Sequence, residues 1–242
     1  MLKQMTLDKI RPYMQMISDE HHHLCLIGPM KMPLKINGKT YLFSWYTWVN
    51  HELITNAATV EEVYNFLYQK PLANEQLSSV LVYGDFAQEE DAFVRFHSIC
   101  HTGDVFGSRR CDCGEQFQAA KERIVQEGCG AIFYLANQEG RGIGLFHKAM
   151  AYLLQEQGLD TIEANEALGF QDDIRVYEEA VAVLQSLRSK PIHLITNNPD
   201  KLTQLQQAGV AIKERVPVWC QTTSYNERYI QTKIARSGHL QR

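Results

Sequence analysis

AIFYLANQEGRGIGLFHKAMAYLLQEQG, residues 131–158, sets the fold class. Residues 131–136 form a continuous apolar run of strand length. Residues 138–144 are rich in glycine, and residues 144–158 carry helical spacing as far as Gly158. A buried strand passing through a glycine turn into a helix is the repeating unit of an α/β sheet.

The alternation extends in both directions. Upstream, VLVYGD (80–85) and FVRFH (93–97) are short β-type runs. EQFQAAKERIVQEG (115–128) is helical through Phe117, Ala120, Ile124 and Val125, and Gly128 closes it. Downstream, DIRVYEEAVAVLQSLR (173–188) reads as a helix, and IHLITNN (192–198) as a strand entering a helix near Pro199. AIKERVPV (211–218) reads as a strand and ERYIQTKIARSG (227–238) as a final helix.

The N-terminal third differs. PLKI (33–36) and KTYLFSWY (39–46) flank Asn37-Gly38, a pair that tolerates the positive φ angles of a tight hairpin. Residues 59–69 read as a helix opened by a capping box between Thr59 and Glu62, with Pro71 beyond its end. Another helix is predicted around Leu7–Ser18, followed by Asp19-Glu20-His21-His22-His23. Three adjacent histidines suggest metal, but adjacent side chains do not converge, which favours a polar turn. The expected fold class is α/β (α+β mixed), a mixed sheet flanked by helices with an N-terminal antiparallel hairpin.

The chain has 242 residues, 45% apolar and 21% charged, which excludes disordered, collagenous and fibrous classes. It is long enough to bury a core without disulfides. Its 24 basic and 28 acidic residues leave a net charge of −4, which argues against a nucleic-acid or membrane-surface binder but not against a local basic pocket. No run approaches the roughly 18 apolar residues of a membrane span. MLKQMTLDKIRPYMQM lacks a continuous apolar region, so a cytoplasmic location with reduced thiols is expected.

Cys100, Cys111 and Cys113 stand in a C-x10-C-x-C array. Three thiolates on a turn suit zinc, and three ligands plus water is the pattern of a catalytic site. His97 or His101 as a fourth ligand would make a closed structural site, and three unrelated thiols are the plainer alternative. Cys25, Cys129 and Cys220 lack partner spacing and read as packing residues. Glycines after a strand let backbone N–H groups approach an anion at a helix start, although such a turn is weak evidence alone. Glu139 in that turn can accept hydrogen bonds from the amidine edge of guanine, and Arg141 suits a phosphate or carbonyl oxygen. Asp173 and Arg175 form either a site pair or a surface pair. Lys201 follows a strand end, where ligands sit in open α/β sheets, but helix lysines are commonly only solvated.

Taken together and in order, these motifs resemble GTP cyclohydrolase II. The resemblance is carried by RFHSICHTGD (95–104), RRCDCGEQ (109–116), QEGRGIGL (138–145), GLDTIEANEALGF (158–170), DDIRVY (172–177), LITNNPDK (194–201), ERVP (214–217) and TKIARSGHL (232–240). It is dense from about Ser78 onward, which implies an N-terminal extension over 1–77 and a catalytic region over 78–242. It implies zinc-dependent hydrolysis of GTP, opening of the guanine imidazole ring at C8, and release of formate and pyrophosphate, the first step of riboflavin biosynthesis. Cys100, Cys111 and Cys113 match the zinc ligands. Arg95, His97, Ser98, Gln116, Glu139, Gly140, Arg141, Thr161, Thr196 and Lys201 match nucleotide-binding positions. Tyr152 matches a helix tyrosine near the opened ring and Asp173 a proton acceptor. Arg175 matches a residue described as a nucleophile on phosphorus, though a permanently protonated arginine is better suited to clamp developing phosphate charge. Magnesium on the triphosphate and a homodimer are further implications.

The chain departs from the family pattern at two places. Ile99 stands where the family has glutamate, and Asn137 where it has arginine. These departures favour, as an alternative, a specialised paralogue with secondary-metabolism chemistry or a partial formamidopyrimidine product. A GTP-binding regulator without turnover is a third reading. The H-x-E…P-C-x-x-C signature of nucleobase deaminases is absent.

Overall fold

The computed structural model describes residues 2–18, 22–50, 52–54, 57–171 and 173–240. One eight-stranded mixed sheet runs through the chain in the order β1-β2-β3-β4-β6-β5-β7-β8. Its strands are β1 (Met14–Ser18), β2 (His23–Ile36), β3 (Lys39–Asn50), β4 (Ser79–Tyr83), β5 (Phe93–Ser98), β6 (Gly130–Leu135), β7 (Ile192–Ile195) and β8 (Ile212–Val216). Pairing is antiparallel from β1 through β4 to β6, and parallel across β6, β5, β7 and β8. The expected mixed sheet with flanking helices is present.

The hairpin forms where Asn37-Gly38 places it. Asn37 has φ 49° and Gly38 φ 79°, the left-handed pair that matches strand twist. Its arms run well beyond residues 33–46, and β3 joins β4, so hairpin and parallel strands share one sheet.

Alternation sorts the sheet's two faces. Val94, Phe96, Ala131 and Phe133 pack under α6 (Glu178–Leu187) and α7 (Pro199–Gln207). Phe93, Ile132 and Ile195 pack on the other face against Ala120 and Ile124 of α3 (Cys113–Glu127). The remaining helices are α1 (Leu2–Ile10), α2 (Val60–Leu67), α4 (Gly144–Glu156), α5 (Thr161–Ala167) and α8 (Glu227–Ala235). The capping box at Thr59 and Glu62 is present at the start of α2, and Gly128 closes α3 at φ 87°.

Two expectations are corrected. The helix predicted over Leu7–Ser18 lies instead at Leu2–Ile10, and Met14–Ser18 is strand β1. Pro12 sits in a short 3-10 turn after α1, and the backbone of Met14–Ser18 then pairs with β2. The helix predicted over 173–188 begins only at Glu178. Asp173 Oδ1 accepts from the Arg175 backbone N–H, a local bond that competes with helix at residues 173–177. Helix α5 adds to the expected elements, and Asp160 and Glu163 form a capping box at its start. Of the polar run at 19–23, Asp19, Glu20 and His21 lie outside the described residues. His23 opens β2 and its Nδ1 lies 2.8 Å from Ser18 Oγ.

Candidate active site

Parallel strands β5, β6 and β7 end side by side, and the segments leaving them meet in one cleft. Ser98 to Cys100 come from β5, Gln138 to Arg141 from β6, and Thr196 to Lys201 from β7. The carboxyl ends of strands in an open sheet are where such clefts form, because the connections splay apart there.

The three thiols gather at this edge. Cys100 leaves β5, and residues His101–Val105 form a single π-turn. Cys111 and Cys113 lie at the start of α3. All three Sγ atoms lie within 4.8 Å of one another, with Cys100 and Cys111 3.6 Å apart. Tetrahedral sulfur ligands at about 2.3 Å from a metal stand about 3.8 Å apart, so the set fits a metal ion. Glycine at 103 lets the turn pass close to the thiols: a Cβ there would stand 3.1 Å from Cys100 Sγ and 3.3 Å from Cys111 Sγ, and the sulfurs would have to give by a few tenths of an ångström. Among the described residues no fourth histidine, cysteine or carboxylate joins the group. His97 is turned to Asp104, with Nε2 3.0 Å from Oδ2. Asp104 Oδ2 also accepts from the Cys100 N–H and the Tyr134 hydroxyl, both at 3.0 Å, which ties the π-turn to the sheet.

Charge favours thiolate at Cys100. Hydrogen bonds from the other two thiols and the nearby Lys148 ammonium hold it far below the ordinary thiol range, against burial. Lys148 Nζ lies 3.2 Å from Cys100 Sγ and 2.6 Å from Glu139 Oε1. Burial disfavours the ammonium, but the Cys100 thiolate, Tyr152 and Glu139 outweigh it and hold the proton on. Glu139 is itself buried, and its Oε2 accepts from the His101 N–H at 2.6 Å. The carboxylate therefore joins the thiol turn to α4 and retains lone pairs for a ligand.

The glycine turn is wound left-handed at Gly140 (φ 62°), Arg141 (φ 66°) and Gly142 (φ 100°). A Cβ at Gly142 would meet Ile174 Cγ1 at 2.6 Å, so this residue lets the loop close on the 173–177 segment. Ile174 N–H donates to Arg141 O across that contact.

The Arg175 guanidinium is held between Asp173 and Ser98. Nε donates to Asp173 Oδ1 at 2.8 Å, Nη2 pairs with Oδ2, and Nη1 donates to Ser98 Oγ at 3.2 Å. Burial works against both charges of the pair. The guanidinium nonetheless keeps the Asp173 carboxyl below its usual range, and Tyr177 and Asp173 keep Arg175 fully protonated. Arg95 Nη2 donates to Gln116 Oε1 at 2.6 Å. Lys201 Nζ donates to Phe96 O at 2.7 Å, while burial and then the charges of Arg175 and Arg95 push its pKa down. The Tyr152 hydroxyl lies 3.3 Å from Thr102 Oγ1, with the Arg110 guanidinium 4.2 Å over its ring.

Cys100, Cys111 and Cys113 and every residue matched to nucleotide binding or catalysis line this one cleft, Thr161 and Thr196 included, whereas His101 does not. Of the two departures, Ile99 lines it, whereas Asn137 is exposed and lies outside the lining. No sequence signal marks Lys148 or Asp104, since a lone helix lysine or loop aspartate is ordinarily solvated. The one feature that sets Lys148 apart is its place one turn into α4, on the side that faces Glu139.

The family model described as GTP cyclohydrolase II matches residues 52–217. The chain is 53% identical over 152 residues to the riboflavin biosynthesis protein RibBA of Bacillus subtilis, covering 63% of this chain and 38% of that protein. It is 50% identical over 159 residues to RibBA of Phocaeicola vulgatus, covering 66% and 39%. The chain thus spans about two-fifths of the length of the curated relatives it matches.

Proposed function

The chain belongs to the GTP cyclohydrolase II family, and on that premise we propose that it hydrolyses GTP, opening the guanine ring at C8 and releasing formate and pyrophosphate. The product is a ring-opened diaminopyrimidinone nucleotide, the first intermediate of riboflavin synthesis. The observation that carries this reading is the meeting of the three thiols with Glu139, Asp173, Arg175 and Tyr152 in one cleft.

Cys100, Cys111 and Cys113 would hold a zinc ion, which would supply Lewis acidity to a water near neutral pH. Glu139 and the backbone of the glycine turn orient the guanine edge. Lys148 keeps its proton beside Cys100 and neutralises Glu139, so the buried carboxylate stays in place. Tyr152 holds a hydroxyl proton at the thiol end of the cleft, where the opened ring is to be hydrolysed further. At the other end water adds to the α-phosphorus as its bond to pyrophosphate breaks; Arg175, protonated and aimed by Asp173 and Ser98, clamps the developing phosphate charge, and Asp173 accepts the proton of the attacking water. Arg95 and Arg141 add positive potential along the triphosphate, and Lys201 lines the same stretch as a hydrogen-bond donor. Magnesium enters with the triphosphate and needs no protein cage of its own.

The catalytic region is assigned to residues 78–242, because every cleft-lining residue lies beyond 78. Residues 1–77 are read as an N-terminal extension whose strands β1 to β3 add to the sheet, with the family match reaching back into it as far as residue 52. A reducing, cytoplasmic setting suits the cluster of unpaired thiols. No described helix is long and apolar enough to cross a membrane. A homodimer is supported by the apolar residues that α4 exposes, notably Phe146 at 76% and Leu153 at 61%.

Incubation with GTP, zinc and magnesium tests the reading: formate appears, purine absorbance is lost, and a chelator stops both. No formate and unchanged absorbance would sink it. A specialised paralogue is the second reading, favoured by Ile99 on the cleft wall. The product mass separates the two, since a partial reaction leaves the formyl carbon on the nucleotide.

A further inference from the structure

The matched family span ends at residue 217, yet the cleft wall continues past it. Tyr229, Lys233, Ser237 and His239 line the same cavity as the thiols. Helix α8 lies across the thiol turn, with Tyr229 Oη 3.7 Å from Cys113 Sγ. Lys233 Nζ donates to Asp112 Oδ1 at 2.9 Å. Asp112 sits between two of the thiols, is fully buried, and its other oxygen accepts from Gln116, which in turn accepts from Arg95. A buried carboxylate without its cation is costly, so Lys233 holds this chain of contacts in register from a distant part of the sequence.

Beyond α8 the chain is strapped back onto the sheet edge. The His239 N–H donates to Lys233 O at 3.0 Å, and the Leu240 N–H donates to Asn197 O at 2.9 Å. A Cβ at Gly238 would reach Pro199 Cγ at 3.7 Å, so the chain passes close to the start of α7 here. Arg141 Nη2 donates to Ser237 Oγ at 3.3 Å, and Arg236 Nη1 pairs with Asp160 Oδ2 at 2.6 Å. The tail is therefore fastened to the glycine turn, to α5 and to the N-terminus of α7.

His239 stands at the centre of these ties. Its Nδ1 is buried and has no hydrogen-bond partner of regular geometry. Burial, and then the Lys233 charge, lower its pKa to about 4, with Arg141 adding to them and the Ser237 backbone and Asp112 opposing. The neutral imidazole can carry its proton on Nδ1, and an Nδ1–H without an acceptor, among cations and beside a helix N-terminus, is satisfied by an arriving anion.

We propose that the C-terminal strap Ser237–Leu240 is the part of the cleft wall that receives the nucleotide's phosphates, with His239 Nδ1–H as a contacting donor, while Lys233, at the thiol end, is a positioning residue acting through Asp112. The proposal rests on the reading of GTP as ligand and assigns phosphate recognition to a part of the chain outside the matched family span.

The test is calorimetric binding of a non-hydrolysable GTP analogue with magnesium, and of guanosine, to the full chain. His239→Ala should weaken the analogue about tenfold or more, the worth of one hydrogen bond to a charged group, and leave guanosine unchanged. Equal affinity for the analogue, or equal loss for both ligands, overturns the contact. Lys233→Met should lower bound zinc per chain at unchanged circular dichroism, with Lys233→Arg restoring it; full zinc retention by Lys233→Met overturns the positioning role. Failure of the unaltered chain to bind the analogue overturns the GTP reading itself, and this proposal with it.

Discussion

Lys148 Nζ stands 2.6 Å from Glu139 Oε1, both side chains almost fully enclosed. The pair joins α4 to the turn after β6, and it places a cation within reach of a thiolate. Removing one member leaves the other charged and buried. Lys148→Met is expected to destabilise the chain by about 3 kcal/mol or more, because an unpaired buried carboxylate forfeits its solvation. Urea unfolding measures it, and the double variant Lys148→Met with Glu139→Gln should recover part of the loss. An unchanged midpoint in the single variant would show that the pair carries no such weight.

Arg175 is expected to act as a clamp. Its guanidinium is fully protonated and forked onto Asp173. Arg175→Lys keeps a charge but loses the fork, and turnover should fall about a hundredfold, the scale of one lost transition-state donor. Intact-protein mass spectrometry during turnover should show no nucleotide attached to the chain. A covalent adduct on Arg175 would reverse this assignment.

The buried imidazole of His97 predicts acid sensitivity. Burial is the main cause that lowers its pKa from 6.5 to about 4, with Asp104 opposing and Arg95 assisting. The unfolded chain therefore binds the proton more readily than the folded one between those values. Stability falls as pH drops through this window, by about 2 kcal/mol between pH 7 and pH 5 from this group alone. Urea midpoints at the two pH values should show the drop, and His97→Gln should make it smaller. An equal drop in both proteins would remove His97 as its source.

The exposed face of α4 predicts self-association. Phe146→Glu should convert a dimer into a monomer in light scattering, while the thiol cluster on the other side of α4 keeps its metal. A wild-type chain that scatters as a monomer at micromolar concentration would end the homodimer reading.

Local signals make much of the molecule readable from its residues. Asn37-Gly38 announces its hairpin because two residues fix a turn without help from elsewhere. Cys111 and Cys113 announce a metal-type array because their spacing keeps both on one turn. The error at Met14–Ser18 has the opposite origin. Five residues of mixed polarity read equally well as helix or strand, and pairing with β2 settles the choice. Residues 173–177 are lost from a helix to a single side-chain bond that periodicity does not register.

The α/β class, the three thiols, and the strand-end segments that carry Glu139 and Lys201 are all written in the linear chain. Each of these rests on neighbours within about a dozen residues, where chain geometry leaves few choices. No linear pattern announces that Lys148 meets Cys100, 48 residues away, or that Lys233 meets Asp112 across 121. Contacts at such separation are set by how helices pack on the sheet. Burial then gives each of these charges its meaning, since an ion pair that would be negligible in water becomes essential once solvent is excluded.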